Sequence, residues 1–567
     1  MEKTSKKVLS IALCLALLLT SILFAAAAPQ ENTLKILVVS DIHYRPPEWL
    51  EPLAQVNNLP DDPLFRHTNT KGMLTYEADA ILDTFFRQAE QSGAKYLLIP
   101  GDLSEEGHWE EHEGIAAKLN AFEVRSGITV FVLPGNHDIR TSQSKSRLPS
   151  VHETRLDLAD FLDIYAELGY DKALARFPGD GSYTAELDES CRLLAIDACI
   201  YREDESYISP ELFAWITAQI AQTKQDGKKL IAMTHYNVLD HFLLEGFTAG
   251  LLTIDQHRTL ATLLADGGVK YVFTGHEHTN DIAYAETAQG NKIFDIETGS
   301  LITYPNAWRE VDFSDSAVTV ATKYVTEIDS SLLPQGFSEA QIRLMQKDFP
   351  SYSLRYFRAG IRSYQGMLPS LTETIAKALS TGEGTLPYEL IDTMVQSLTQ
   401  AIQMPLYGES GSVEALAKQA GITLAPSEYK DFLDLFGAFY AAHYAGNENF
   451  TMDSPQVKLL GQAFNAVLAA AALPPVDSLK SAAAKWLYAR TLSKVVTNML
   501  VLLIMEGVTS DWSAPDDLNA VLEPYGETLE ISGPSSKITD TAFYLDLLRR
   551  AVNTVFNIVA RIIKFLF

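Results

Sequence analysis

The stretch ITVFVLPGNHD, Ile128 to Asp138, ends an apolar run on a Pro-Gly turn and then sets an amide, an imidazole and a carboxylate in direct succession. The same arrangement recurs along the first half of the chain. Leu34 to Val39 is followed by SDIH, with Asp41 and His43, and Tyr96 to Ile99 by PGDL, with Asp102. Leu230 to Met233 leads into THYN, with His235, and Val269 to Phe273 into TGHEH, with His276 and His278. Two further runs, Leu193 to Ile196 and Ile293 to Ile296, lack such a tail. Short Val-, Ile- and Leu-rich runs without strict alternation predict strands covered on both faces. Helix-like segments lie between several of them, Tyr76 to Gln91 and Glu110 to Ala121 among them. That order predicts a layered α/β domain over residues 32–325. Residues 139–183, with the pattern LADFLDIYAELGY, read as a helical insertion over the strand ends.

The remaining chain bounds the function. Its 567 residues allow two to four domains, and 47% hydrophobic composition supports at least one large core. A net charge of −27 (45 basic against 72 acidic residues) argues against binding nucleic acid through a basic face. Residues 1–28 stand apart: Lys3, Lys6 and Lys7 precede an apolar run from Val8 to Phe24 and then Ala25 to Ala28. This reads as a secretion signal, the alternative being an uncleaved membrane anchor, and either one places the remainder outside the cytoplasm. Cys14 falls within that segment. Cys191 and Cys199, flanking RLLAIDA, would stand roughly 26 Å apart if that stretch is extended, too far to bridge. From residue 326 the texture turns Ala- and Leu-rich, as in Ser481 to Met505, and predicts an all-α domain over 326–540. Residues 541–567 carry net +3, with Asp546, Arg549, Arg550, Asn553, Asn557, Arg561 and Lys564 along one helical stripe. Such a terminal helix could lie on an anionic membrane surface, or dock on its own domain.

The five polar clusters are scattered in sequence, but the carboxyl ends of parallel strands line one crevice, so they can converge. In DIH and HEH the outer residues are two apart, which in extended backbone points both side chains the same way. Glycines before Asp102, Asn136 and His276 permit tight turns close to a ligand. Oxygen and imidazole donors without thiolate suit Mn, Fe or Zn. Any one cluster alone could be a cap or a turn. Five of the twelve histidines nevertheless fall in them, each directly behind a predicted strand, and that favours a metal site.

Taken together the blocks DxH, GD, GNH with an acid following, a lone His and GHxH resemble the ordered signature of the calcineurin-like metallophosphoesterases. The resemblance spans Leu34 to Ser300 and leaves the helical half uncovered. It implies a four-layer α/β/β/α sandwich. It also implies two divalent or trivalent ions: Asp41, His43 and His278 would hold one, Asn136, His235 and His276 the other, with Asp102 bridging. Such a pair acidifies a shared water, and the resulting hydroxide would attack phosphorus in line. Two divalent ions, the carboxylates of Asp41 and Asp102 and one hydroxide sum to about +1, which attracts phosphate despite the acidic surface. His137 would donate to a phosphoryl oxygen or the departing alkoxide, and Asp138 would orient it, unless Asp138 is a helix cap.

GDLSEEG lacks the tyrosine that purple acid phosphatases place three residues after the Asp, and the first block is DxH where theirs is DxG. In style the motifs are similar to bacterial cyclic nucleotide and glycerophosphodiester phosphodiesterases. The expected function is therefore an exported dinuclear-metal phosphodiesterase acting on a small phosphoester. A phosphomonoesterase or nucleotidase on the same centre, and a cell-surface binding protein with a vestigial site, are the alternatives. Outside the clusters, His108 and His112 read as a solvated helix face, because Trp109 stands where a zinc protease carries its base. His152 and His241 read as ordinary loop histidines that could line the crevice, and Asp197 as structural.

Overall fold

The computed structural model describes residues 34–50, 53, 72–139, 156–201, 206–242, 253–362, 372, 386–402, 404–451, 453–470, 501 and 517–524. The predicted signal, His152, the terminal helix and nearly all of Ser481 to Met505 lie outside these.

Every one of the seven apolar runs forms a strand: β1 (Leu34–Val38), β2 (Tyr96–Ile99), β3 (Thr129–Val132), β6 (Cys191–Ile196), β7 (Lys229–Thr234), β8 (Tyr271–Thr274) and β10 (Lys292–Glu297). Six further strands flank them, all in antiparallel pairings: β4 (Ala173–Arg176), β5 (Tyr183–Glu186), β9 (Asp281–Glu286), β11 (Ala307–Phe313), β12 (Val318–Tyr324) and β13 (Asn519–Leu522). They build two mixed sheets, ordered β13-β12-β11-β1-β2-β3 and β4-β5-β6-β7-β8-β10-β9.

Alternate residues of the second sheet divide between two cores. Leu193, Ile231, Met233, Phe273 and Ile296 join the core shared with the first sheet. Leu194, Leu230, Ala232, Val272 and Ile293 face a second core with Leu212, Ile216 and Ile220 of helix Pro210–Gln225 and Leu260 and Leu264 of helix His257–Asp266. Burial on both faces is why these strands read as continuous apolar runs, each fully buried aliphatic side chain contributing roughly 1.5–3 kcal/mol. Helices Ala78–Glu90 and Trp109–Ser126 complete the fourth layer, with Phe86 stacked on Phe122 at 4.7 Å. The expected α/β/β/α sandwich is thus the observed one.

The described part of the insertion is mixed. Helix Leu158–Ile164 and the π turn Ala166–Tyr170 lead into β4, which extends the second sheet. Beyond β12 the helices Glu339–Lys347, Phe349–Ile361, Leu386–Ala401, Val413–Gln419, Phe432–Ala445 and Pro455–Ala470 follow, several started by a side-chain cap from Ser338, Asp348, Ser412 or Asp431. Part of this half has its own core around Leu435, Phe439, Leu460 and Val467. The rest is fused to the sandwich. Phe349, Tyr352 and Tyr356 enter the main core, and Tyr352 donates to buried Glu77. β13 falls inside the range expected to be helical, yet it pairs with β12. Fully buried Arg309 ties that strap down, donating to the Asp517 and Thr322 oxygens and, at 2.7 Å, to the Glu297 carbonyl. Among the described residues no helix is long and apolar enough to cross a membrane.

Candidate metal centre

The five clusters follow β1, β2, β3, β7 and β8 at their carboxyl ends, where the two sheets face each other. Asp41, His43, Asp102, Asn136, His235 and His278 are all buried, and His276 is partly exposed. Side chains in DIH and HEH do not share a side through extended backbone. Asp41, His43, Asp102, His276 and His278 instead take left-handed φ of 52°, 45°, 48°, 76° and 65°. L-residues there cost roughly 1–3 kcal/mol each, so the surrounding loops must hold them. They are held by cross-strand backbone bonds such as His43 N to Asp102 O at 2.9 Å, and by His276 N on the Asp41 carboxylate at 3.0 Å. Gly135 and Gly275 allow the close approach: a Cβ would meet Asp102 Oδ1 at 2.1 Å and Ser40 Oγ at 2.0 Å, respectively.

The donor atoms form two groups. In one, His43 Nε2 lies 3.0 Å from His278 Nε2, and Asp41 Oδ1 is 3.4 Å from His278 Nε2 and 3.8 Å from His43 Nε2. In the other, Asn136 Oδ1 is 2.8 Å from His235 Nε2 and 3.0 Å from His276 Nδ1. Asp102 stands between them: its Oδ2 is 3.5 Å from His43 Nε2 and 3.4 Å from His235 Nε2.

This set of donors fits cations. His235 Nδ1 sits 2.9 Å from the Pro100 carbonyl, which can only accept, so Nδ1 carries the proton and Nε2 of the neutral ring turns a lone pair inward. That lone pair faces the Asn136 and Asp102 oxygens, and the two imidazole Nε2 atoms of His43 and His278 face one another. Lone pairs so directed need a shared proton or a cation between them. The electrostatics agree. Burial would raise the Asp102 and Asp41 carboxyls, but His235 and His278 respectively hold them below the usual carboxylate range. Burial would lower His235, yet Asp102 outweighs it and lifts the ring to about 9, so a proton takes the inward Nε2 wherever a cation does not. Positive charge is favoured here.

His137 Nδ1 lies 2.6 Å from the Glu105 carbonyl, and its ring is edge-on to His43 with centroids 4.7 Å apart. A ring nitrogen of His137 also comes within 4.8 Å of donor atoms of His43 and Asp102. Asp138 does not aim it. The Asp138 carboxylate accepts from Gly135 N at 2.8 Å, Leu103 N at 3.2 Å, and Ser104 N and Oγ, both at 2.8 Å. It staples the GDLS and PGNH turns together, a cap-like role. Burial and the nearby Asp102 charge nonetheless push its carboxyl up to about 7.

Glu105 escaped the sequence reading. Its carbonyl fixes His137, and its buried carboxylate stands 3.2 Å from His43 Nδ1. A Glu in a polar loop carries no sequence signal that distinguishes it from a solvated one. His112 and His108 are not solvated: His112 is fully buried and bonds Tyr165 Oη at 2.8 Å and the Asp138 carbonyl at 2.9 Å, because its helix packs beneath the site. His241 is buried as well, between Asp281 at 3.0 Å and Asp295 at 3.4 Å. Asp197 accepts from Gly181 N at 2.8 Å and Cys199 N at 3.0 Å, a structural use, and both cysteines are free.

A family model described as calcineurin-like phosphoesterase matches residues 34–280. No curated protein matches the chain significantly. Similar solved structures include a dimetal phosphatase from Danio rerio, 14% identical over 51% of this chain and 95% of that one, with a TM-score of 0.34. A purple acid phosphatase from yellow lupin (Lupinus luteus) seeds is 12% identical over 52% of each chain, with a TM-score of 0.31. A predicted phosphoesterase from Streptococcus pneumoniae is 10% identical over 52% of this chain and 90% of that one, with a TM-score of 0.21. Similarities of that size carry no functional argument. The family match falls on the segment that holds all five clusters, and it supports reading residues 34–280 as a metal-dependent phosphoesterase domain of the calcineurin-like kind.

Proposed function

We propose that this protein is an exported two-metal phosphodiesterase. Asp41, His43 and His278 would hold one ion, Asn136, His235 and His276 the other, and Asp102 would be shared. The observation that carries this is the single Asp102 oxygen lying 3.5 Å and 3.4 Å from a ring nitrogen of each group. When bound, two such ions supply Lewis acidity toward phosphoryl oxygen and acidify water. The protein's own residues do the rest. The Pro100 carbonyl fixes His235 with Nε2 inward, and Glu105 faces His43 Nδ1 to the same end. His137, its Nδ1 proton given to the Glu105 carbonyl, can hold a second proton at Nε2 and pass it to the departing alkoxide.

The diester preference is supported by motif style, and export by the basic-then-apolar start of the chain. Hydrolysis of bis(p-nitrophenyl) phosphate should exceed that of p-nitrophenyl phosphate after loading with Mn, Fe or Zn, and Asp102→Asn should abolish it. A preference for the monoester would make the protein a phosphomonoesterase. Turnover that survives chelation would end the two-metal reading. Recovery of the expressed protein from the cytoplasm with residues 1–28 intact would overturn export.

A further inference from the structure

Among the described residues, a side-chain hydrogen bond joins the helical half to the turn that carries His278. Fully buried Asn280 follows His278 by two residues. Its amide donates at 2.9 Å to the Tyr444 carbonyl, one of the orphan carbonyls at the end of helix Phe432–Ala445. Its other amide atom accepts from Gly299 N at 3.2 Å. The next residue, Ser300, donates through its hydroxyl to the Asp41 carbonyl at 2.8 Å, and Leu301 N donates to the Ser40 carbonyl at 3.1 Å. One side chain thus links the helix end to the turns that carry Asp41 and His278. The contact is tight from the helix side: Gly446 caps that helix with φ 65°, and a Cβ there would lie 2.2 Å from the Asn280 carbonyl oxygen. The second group differs. Asn136 and His235 sit behind β3 and β7, and His235 is positioned by Pro100 within the sandwich; of this group His276 shares the turn of His278 and donates through its N–H to the Asp41 carboxylate at 3.0 Å.

We infer that Asn280 is a positioning residue through which the C-terminal helical half sets the metal affinity of the Asp41, His43 and His278 group, with a smaller effect on the second group, of which only His276 shares this turn. This rests on the two-metal reading. It makes the helical half a working part of the centre, so that whatever shifts helix Phe432–Ala445 would adjust the occupancy of one ion more than that of the other. Both Asp41 and His278 occupy strained left-handed backbone, at φ 52° and 65°, and such residues keep their geometry only where neighbouring bonds impose it.

The test is Mn²⁺ titration of the full-length apoprotein, followed by calorimetry and Mn²⁺ electron paramagnetic resonance, with near-ultraviolet circular dichroism reporting the fold. Asn280→Asp keeps an acceptor for Gly299 N but cannot donate to Tyr444; its added charge alone would tighten cation binding, so any weakening runs against it. Gly446→Ala pushes on the same contact from the helix side. Gly421→Ala, also left-handed at φ 70° but with nothing within 4 Å, controls for backbone strain. Wild type and Gly421→Ala should bind two ions alike. Asn280→Asp and Gly446→Ala should bind one ion nearly as wild type does and the other about ten- to a hundredfold more weakly, the loss expected for a residue that orients a ligand. In a His278→Ala background, Asn280→Asp should add little further loss. Folded Asn280→Asp that binds both ions as wild type does, or weakens both equally, overturns the inference. Wild-type protein that binds fewer than two ions fails the two-metal reading instead.

Discussion

Gly135→Ala isolates the packing that brings the two donor groups onto one carboxylate. Gly135 does not occupy left-handed backbone, so alanine is permitted there and the added methyl is the whole perturbation. That methyl would lie 2.1 Å from Asp102 Oδ1 and 2.4 Å from Asp102 N, where ordinary contact begins at 3.4 Å. The carboxylate or the PGNH turn must therefore withdraw by about 1.3 Å (3.4 minus 2.1). Oδ1 also accepts from His137 N at 2.9 Å, so the displacement reaches the proton donor as well. A misplacement of about 1 Å in a catalytic constellation costs on the order of a hundredfold in rate, and the overpacking itself about 1–3 kcal/mol of stability. Expected, then, is a drop of about a hundredfold in kcat/KM for bis(p-nitrophenyl) phosphate in a protein that still folds. Gly127→Ala is the matched control: at φ 72° with nothing within 4 Å, it should cost roughly 1 kcal/mol of stability and leave turnover unchanged. A folded Gly135→Ala protein with turnover within threefold of wild type would refute the reasoning, as would equal catalytic losses in the two variants.

Three other predictions follow from the same geometry. Glu105→Gln weakens the hold on His43 Nδ1 while the Glu105 carbonyl still holds His137, so metal affinity should fall about tenfold with kcat at saturating metal little changed; a metal titration monitored by turnover checks this. His241 is pressed down by burial, but Asp281 and Asp295 outweigh that and hold its pKa well above 6.5. A raised folded pKa contributes stability that is complete below pH 6.5 and is lost as pH climbs through the folded value, so denaturant midpoints should decline over the alkaline side and His241→Gln should flatten that decline. Arg309→Met leaves the Asp517 and Glu297 carbonyls without their buried donor, at roughly 1–3 kcal/mol each, and limited proteolysis should then cut near residues 517–524 before the sandwich.

The parallel core of both sheets was legible because a strand buried on two faces must be apolar at every position, whatever its partner. Leu34 to Val39 and Val269 to Phe273 announce burial on their own. The donor groups were legible for a related reason: a carboxylate, amide or imidazole directly behind such a run sits at a strand end, and only a few chemistries use five such ends at once. The antiparallel flanks were less visible. In β12 buried and exposed residues alternate, so Val318 and Val320 never form a run, and β4 and β13 are four residues each.

Other features depend on which distant segments meet. Asp138 looks the same in sequence whether it aims His137 or staples two turns, and the choice was made by Leu103 and Ser104 presenting their amides 3.2 and 2.8 Å away. Glu105 becomes part of the centre only because the GDLS loop folds against His43. Asn280 meets a helix end 164 residues further along the chain. Composition and periodicity record how deeply a residue is buried and on which face. They do not record its partner, because the free energy of a hydrogen bond or an ion pair belongs to two positions at once, and only the folded chain brings those two together.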